Sequence, residues 1–297
     1  MSRPKQFPAI DLMMSLPTSS GSAVMSGVGS LIRPTPAESA GDSPIGYLFK
    51  GARDRADEAA DIDAVVAQMD AHNVAIAQIP VHPRAPEGAL EIFEKYPTRF
   101  IGDVSVDPNE GMEAVRALER TVNLHPNIKS FTASPSFVYP QVPLDDKRWY
   151  PLYVKCIELG IPMNVFVGVP GPRVPFKGQH PELLDEIAWF FPELQIVMRH
   201  GGEPWTALCC KLMLKWPNLH YCTSAFAPKY YPRDVLEFAN TRGRDKVMWT
   251  GYYPALSYDR IFDEMDDLPL RDETWEPFLY GNAARVYGLE DMLSDNA

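Results

Sequence analysis

Eight short apolar runs, each followed by an amphipathic stretch, constrain this chain more than any other feature. The runs are AIDLMMS, VAIAQIPV, FIGDVSVD, IKSFTAS, PMNVFVG, QIVMRHG, LHYCTSA and KVMWTGYYP. Runs this short, rich in Val and Ile and bounded by Gly, Pro and Asp, suit strands buried on both faces. Between them lie DIDAVVAQMDAHN, GALEIFEKY, GMEAVRALERTV, WYPLYVKCIELG, PELLDEIAWFF, WTALCCKLMLKW and PRDVLEFANTRG. Two further segments, SYDRIFDEMDD and WEPFLYGNAARVYGL, follow the last run. Their apolar residues return every three or four positions, the period of a helix with one buried stripe. Strands alternating with helices must run parallel, because each helix carries the chain back to the edge where the next strand starts. Eight such units predict an α/β fold, the (β/α)8 TIM barrel, with functional residues at the C-terminal ends of the strands. A doubly wound open sheet ranks second, since no Gly-rich dinucleotide fingerprint follows the first strand. With 297 residues and 45% apolar side chains, one barrel domain over 1–297 accounts for the chain.

One segment breaks the rhythm. Residues 16–58 form a long Gly/Ser/Pro-rich insertion directly after the first strand. Leu31, Ile32, Tyr47, Leu48 and Phe49 give it apolar groups to pack, and loops of this length in compact domains commonly carry function. It is expected to be a flap over the barrel mouth, with a flexible loop or an oligomer contact as the alternative.

Charge and cysteine content narrow the partners. A formal net charge of −11 argues against nucleic acid or an anionic membrane, which require concentrated Lys and Arg. Cys156, Cys209, Cys210 and Cys222 sit in apolar segments and read as reduced core residues. No apolar stretch is long enough to span a bilayer, and MSRPKQFPAI lacks the apolar core of a signal peptide, so a cytoplasmic protein is expected. Neither a nucleophile elbow nor a phosphate-cradling loop is present.

The stretches WYPLYVKCIELGIPMNVFVGVPGPR, HPELLDEIAWFFPELQIVMRHGGEPW, KWPNLHYCTSAFAPKYYP, NTRGRDKVMWTGYYPAL and FLYGNAARVYGL together resemble the amidohydrolase-related family. This family of metal-dependent barrels includes aminocarboxymuconate-semialdehyde decarboxylase and related hydrolases. The resemblance covers most of the chain after residue 60, and it implies the barrel fold, a small-molecule substrate, hydrolysis or decarboxylation, and a homodimer. The family's usual ligand set is Asp-x-His-x-His at the end of strand one, His after strands five and six, and Asp after strand eight. Here Asp11 and His200 remain, whereas Met13, Ser15, Phe166 and Tyr252 occupy the other positions. Residues 11, 13 and 15 share one strand face by period-two geometry and should point into the mouth. Thioethers, a hydroxyl and a phenyl ring are poor partners for a hard or borderline divalent ion. The expectation is therefore no tightly bound cofactor. Zinc or manganese held by Asp11 and His200 is the less favoured alternative.

The surviving polar groups define the candidate site. His200 can exchange protons near neutrality, or it is a structural imidazole tied to the strand ends. Asp11 would orient or activate. Tyr252 can donate a hydrogen bond to a developing oxyanion, or it fills volume left by lost ligands. Arg173, on the Pro/Gly-stiffened loop VGVPGPRVP, can clamp a substrate carboxylate; a surface ion pair is the alternative. Glu203 is either a first-turn acid favourable to the helix dipole or a partner of His200 or Arg173. Trp205 is expected to pack. Lys229, Tyr253, Phe166, Met13 and Ser15 complete the expected lining, and His82 in PVHPR reads as a turn residue near the mouth. Two functions follow: an amidohydrolase-like hydrolase or carboxy-lyase acting on a small carboxylated or carbonyl compound, or a catalytically silent member that binds a ligand or supports a partner enzyme.

Overall fold

The computed structural model describes residues 3–16, 31–33, 48–49 and 59–296. Eight strands lie in one parallel sheet in chain order: β1 (Ala9–Asp11), β2 (Val74–Val81), β3 (Phe100–Val104), β4 (Ile128–Ala133), β5 (Met163–Phe166), β6 (Ile196–Arg199), β7 (Leu219–Cys222) and β8 (Val247–Met248). The connecting helices are α1 (Ile62–Ala71), α2 (Glu87–Lys95), α3 (Met112–Val122), α4 (Tyr150–Leu159), α5 (Leu184–Phe190), α6 (Thr206–Lys215), α7 (Arg233–Ala239) and α8 (Tyr258–Met265). Helix α9 (Asp272–Glu276), a π turn (Pro277–Gly281), α10 (Asn282–Tyr287) and α11 (Glu290–Asp295) complete the chain. The expected alternation is present throughout, and the fold is the (β/α)8 barrel. No helix among the described residues is long and apolar enough to cross a membrane.

Burial on both strand faces explains the near-continuous apolar runs. Outward residues such as Ala77, Ile79, Phe131, Val165, Met198 and Tyr221 pack under the helices. Inward residues Ile10, Leu12, Ile76, Ile101, Val197, Cys222 and Met248 form a second cluster with Ala283, Ala284, Val286, Tyr287 and Leu289. The C-terminal segment thus closes the end of the barrel opposite the mouth.

Two strands are shorter than their apolar runs. The run 9–15 was expected to stay extended, but β1 ends at Asp11, whose side chain accepts the N–H of Met13 at 3.0 Å, although the Met14 N–H still donates to the Gln78 carbonyl of β2 at 2.8 Å. The run 246–254 yields only Val247–Met248, because the chain turns at Gly251 and Tyr252, the latter at φ 78°. Among the described residues the seam between β8 and β1 is held by side-chain and loop bonds rather than by a strand ladder. The Ser15 N–H donates to the Tyr253 carbonyl at 2.8 Å, and Asp11 supplies the rest. Most of the 16–58 insertion, including Tyr47, lies outside the described residues.

Candidate functional site

The turn after β6 carries the candidate site. Arg199 ends the strand in extended conformation, and His200, Gly201 and Gly202 follow with φ of 65°, 78° and 64°. A left-handed imidazole-bearing residue is uncommon and persists only where its surroundings over-determine it. Here the exit of β7 does so. The His200 N–H donates to Ser224 Oγ at 2.9 Å, Ser224 Oγ lies 3.3 Å from His200 Nδ1, and the Tyr221 hydroxyl donates to the Gly201 carbonyl at 2.9 Å.

The imidazole meets Phe166 from the end of β5 at a ring separation of 4.3 Å. Tyr252 approaches from beyond β8, perpendicular to it at 5.7 Å. Phe49 of the long insertion covers Tyr252 at 5.4 Å, and Phe137 backs Phe166 at 5.9 Å. Three expected site residues from three strands, His200, Phe166 and Tyr252, are therefore brought together. Loss of water, reinforced by the neighbouring Arg199 charge, pulls the His200 pKa down to about 3. Burial pushes the Tyr252 phenol up to about 12. Both groups are therefore neutral at pH 7.

The shift of His200 has a stability consequence. An unfolded imidazole titrates near 6.5, whereas His200 and the buried His220 titrate near 3 in the fold. Between those values the unfolded chain binds more protons, so stability is complete above pH 6.5 and declines as pH falls toward 3. Asp11, whose pKa burial raises, works in the opposite direction, so the effect is read as a difference. Urea midpoints of the wild type and His200→Gln, measured from pH 8 to 4.5, should show the wild type falling further on acidification. Parallel curves would contradict the assignment.

Asp11 is fully buried, and its carboxylate closes the seam. Oδ1 accepts the N–H groups of Met13 (3.0 Å) and Gly251 (2.9 Å), and Oδ2 accepts the Tyr258 hydroxyl (2.9 Å). Burial raises its pKa, opposed by those hydrogen bonds. A Cβ on Gly251 would stand 2.3 Å from Oδ2, so this approach requires glycine. Tyr253 is buried and stacks on Tyr258 at 4.8 Å, away from the imidazole. Met13 is half-buried beside the seam and Ser15 is exposed.

The remaining expected residues are more dispersed. Arg173 lies in the loop between β5 and α5, where its carbonyl accepts the Arg33 N–H at 3.2 Å. Glu203 is half-buried, its carboxyl raised by burial and by Asp234, and its carbonyl accepts the Val169 N–H at 2.8 Å. Trp205 packs against His180 (4.2 Å) and Phe176 (5.4 Å). Lys229 is turned outward, 3.7 Å from Glu264 on α8. His82 accepts the Arg84 N–H at 3.2 Å within its own turn.

A buried polar network beneath the mouth escaped the sequence reading. Arg199 donates to the Leu12 carbonyl (2.7 Å), Gln78, Asp103 (3.3 Å) and Thr132 (3.2 Å). Asp103 also accepts from Ser130 (2.6 Å), Thr132 and Asn164 (3.0 Å), and Tyr287 donates to Asn164 from below. One guanidinium thus ties β6 to β1, β2, β3 and β4. The signal was a charged residue inside each of two apolar strands, QIVMRHG and FIGDVSVD. Ser224 had a signal too, two places beyond the inward Cys222 and hence on the same face.

As for a metal, the donor set is poor. Asp11 already accepts three hydrogen bonds, Phe166 offers no lone pair, and among the described residues no three His, Cys, Asp or Glu side chains converge. These groups do not fit a tightly held divalent ion.

A 2-keto-4-carboxy-3-hexenedioate hydratase from Sphingobium sp. is 29% identical over 129 residues, a match spanning 37% of this chain and 37% of that protein. An uncharacterised TIM-barrel protein from Bordetella bronchiseptica superposes with a TM-score of 0.73 at 20% identity, over 95% of this chain and 99% of that one. The 5-carboxyvanillate decarboxylase from Novosphingobium aromaticivorans, solved with manganese and 3-methoxy-4-hydroxy-5-nitrobenzoic acid, gives 0.69 at 18% identity over 96% and 98% of the two chains. At these identities the solved structures establish the barrel. The amidohydrolase family pattern matches residues 33–289, and the chain therefore belongs to the amidohydrolase family.

Proposed function

We propose that this protein is an enzyme that removes a carboxyl group from a small carboxylated compound bound at the barrel mouth. The observation that carries the reading is the convergence of His200, Tyr252 and Phe166 from β6, β8 and β5. Loss of carbon dioxide leaves an electron pair on the substrate, which is most stable when delocalised onto an oxygen. On this reading the neutral imidazole of His200 and the phenol of Tyr252 donate hydrogen bonds to that oxygen, a role that needs no ionisation. A proton from solvent then completes the product. Phe166 and Phe137 offer apolar faces to the body of the substrate. Arg173 anchors a second anionic group by a forked contact, and Phe49 rests on Tyr252 at the mouth.

Hydrolysis is less well supported, because it needs a base to activate water. His200 is too weakly basic at a pKa of about 3, and Asp11 is engaged at both oxygens. Asp11 is accordingly assigned a holding role. The carboxylated substrates named for the hydratase and the decarboxylase agree with the substrate class, and manganese in the latter is the reason to test for metal. A silent ligand-binding role is the second reading, favoured by the same engagement of Asp11. A panel of aromatic and aliphatic carboxylic acids and lactones, followed by release of carbon dioxide, separates the readings. Elemental analysis of undialysed protein should find zinc, manganese and iron well below one per chain; one tightly held ion per chain would overturn the metal-free mechanism.

A further inference from the structure

We infer that Ser224 is the positioning residue of the site, fixing His200 as the tautomer whose proton sits on Nε2 and faces the mouth. This rests on the proposed role of His200 as a neutral donor. The argument is one of valence. A serine hydroxyl has two acceptor lone pairs and one proton. Ser224 Oγ accepts the His200 backbone N–H at 2.9 Å, and the Cys222 thiol, a weak donor 3.8 Å away, faces its second lone pair. Its remaining contact is His200 Nδ1 at 3.3 Å, and only its own proton is left to serve it. This arrangement assigns Nδ1 as the acceptor, and in a neutral imidazole the proton then resides on Nε2.

The exit of β7 is shaped to hold this arrangement. Ser224 is fully buried and is followed by Ala225 at φ 72°, a strained conformation kept only where neighbours require it. The Tyr221 hydroxyl grips the Gly201 carbonyl. The Phe226 ring fits so closely over Gly201 that a Cβ there would lie 2.6 Å from it. Tyr221, Ser224 and Phe226 thus mould one turn, and Ser224 alone reaches the imidazole. Loss of the hydroxyl leaves the ring free to carry its proton on Nδ1, with a lone pair instead of a donor facing the substrate.

Long-range proton–nitrogen NMR of the His200 ring distinguishes the two tautomers without any substrate. The wild type should show protonated Nε2 and unprotonated Nδ1 at pH 7, Ser224→Ala a mixture, and Ser224→Thr the wild-type pattern. With a turned-over acid in hand, Ser224→Ala should lower kcat roughly 10- to 100-fold with KM nearly unchanged, as for other partners that orient a catalytic imidazole. Ser224→Thr should restore most of the rate. A protonated Nδ1 in the wild type, or an unchanged tautomer in Ser224→Ala, would overturn the inference. Should no acid in the panel be turned over, the decarboxylase reading falls and the NMR result still decides the role of Ser224.

Discussion

His200→Ala should lower kcat for the carboxylate substrate about 10²- to 10³-fold, equivalent to roughly 3–4 kcal/mol of transition-state stabilisation. The size follows from the surroundings. The imidazole is held by Ser224 and flanked by Phe166 and Tyr252, so its donor is oriented before substrate arrives and competes with little water. Preorganised donors in apolar sites act mainly on the charge that develops during reaction, so KM should change far less than kcat. His200→Gln, which keeps an N–H at nearly the same reach, should recover part of the loss. Steady-state kinetics of the three proteins check this. Full turnover in His200→Ala would remove the residue from the mechanism.

The second large effect is on stability. Arg199→Met should destabilise the fold by about 3–5 kcal/mol, the usual result of removing one member of a buried ion pair. Arg199 is 2% exposed and Asp103 9% exposed, so the surviving carboxylate would be left in the barrel interior with only Ser130, Thr132 and Asn164 to solvate it. The Leu12 carbonyl and Gln78 lose their donor at the same time. The double variant Arg199→Met with Asp103→Leu should recover much of the loss, since removing both charges removes the uncompensated one. Urea unfolding with an unchanged denaturant slope measures both quantities. A loss below about 1 kcal/mol in Arg199→Met would mean that the interior is wet enough to solvate Asp103 without its partner.

Several features of the fold and site were readable along the chain. The run VAIAQIPV is β2 end to end, because a strand buried on both faces advertises itself by near-continuous apolar character, broken here by Gln78. The contact of Phe166 and Tyr252 with His200 followed from their places at strand ends, which the barrel gathers at one mouth. The use made of Asp11 was not readable. Its partners Gly251 and Tyr258 lie 240 and 247 positions away, and nothing near residue 11 says that its oxygens are occupied. The same is true of Arg199, whose donors end on four other strands, and of Ser224, whose proton is assigned only by counting its neighbours.

Local periodicity was enough to specify strands, helices and their order, since each depends on residues a few positions apart. The burial of the imidazole, the engagement of the lone carboxylate and the ion pair across the interior came only with closure of the barrel. Desolvation and hydrogen-bond valence depend on what stands within a few ångströms in space, and in a closed barrel those neighbours come from distant parts of the chain.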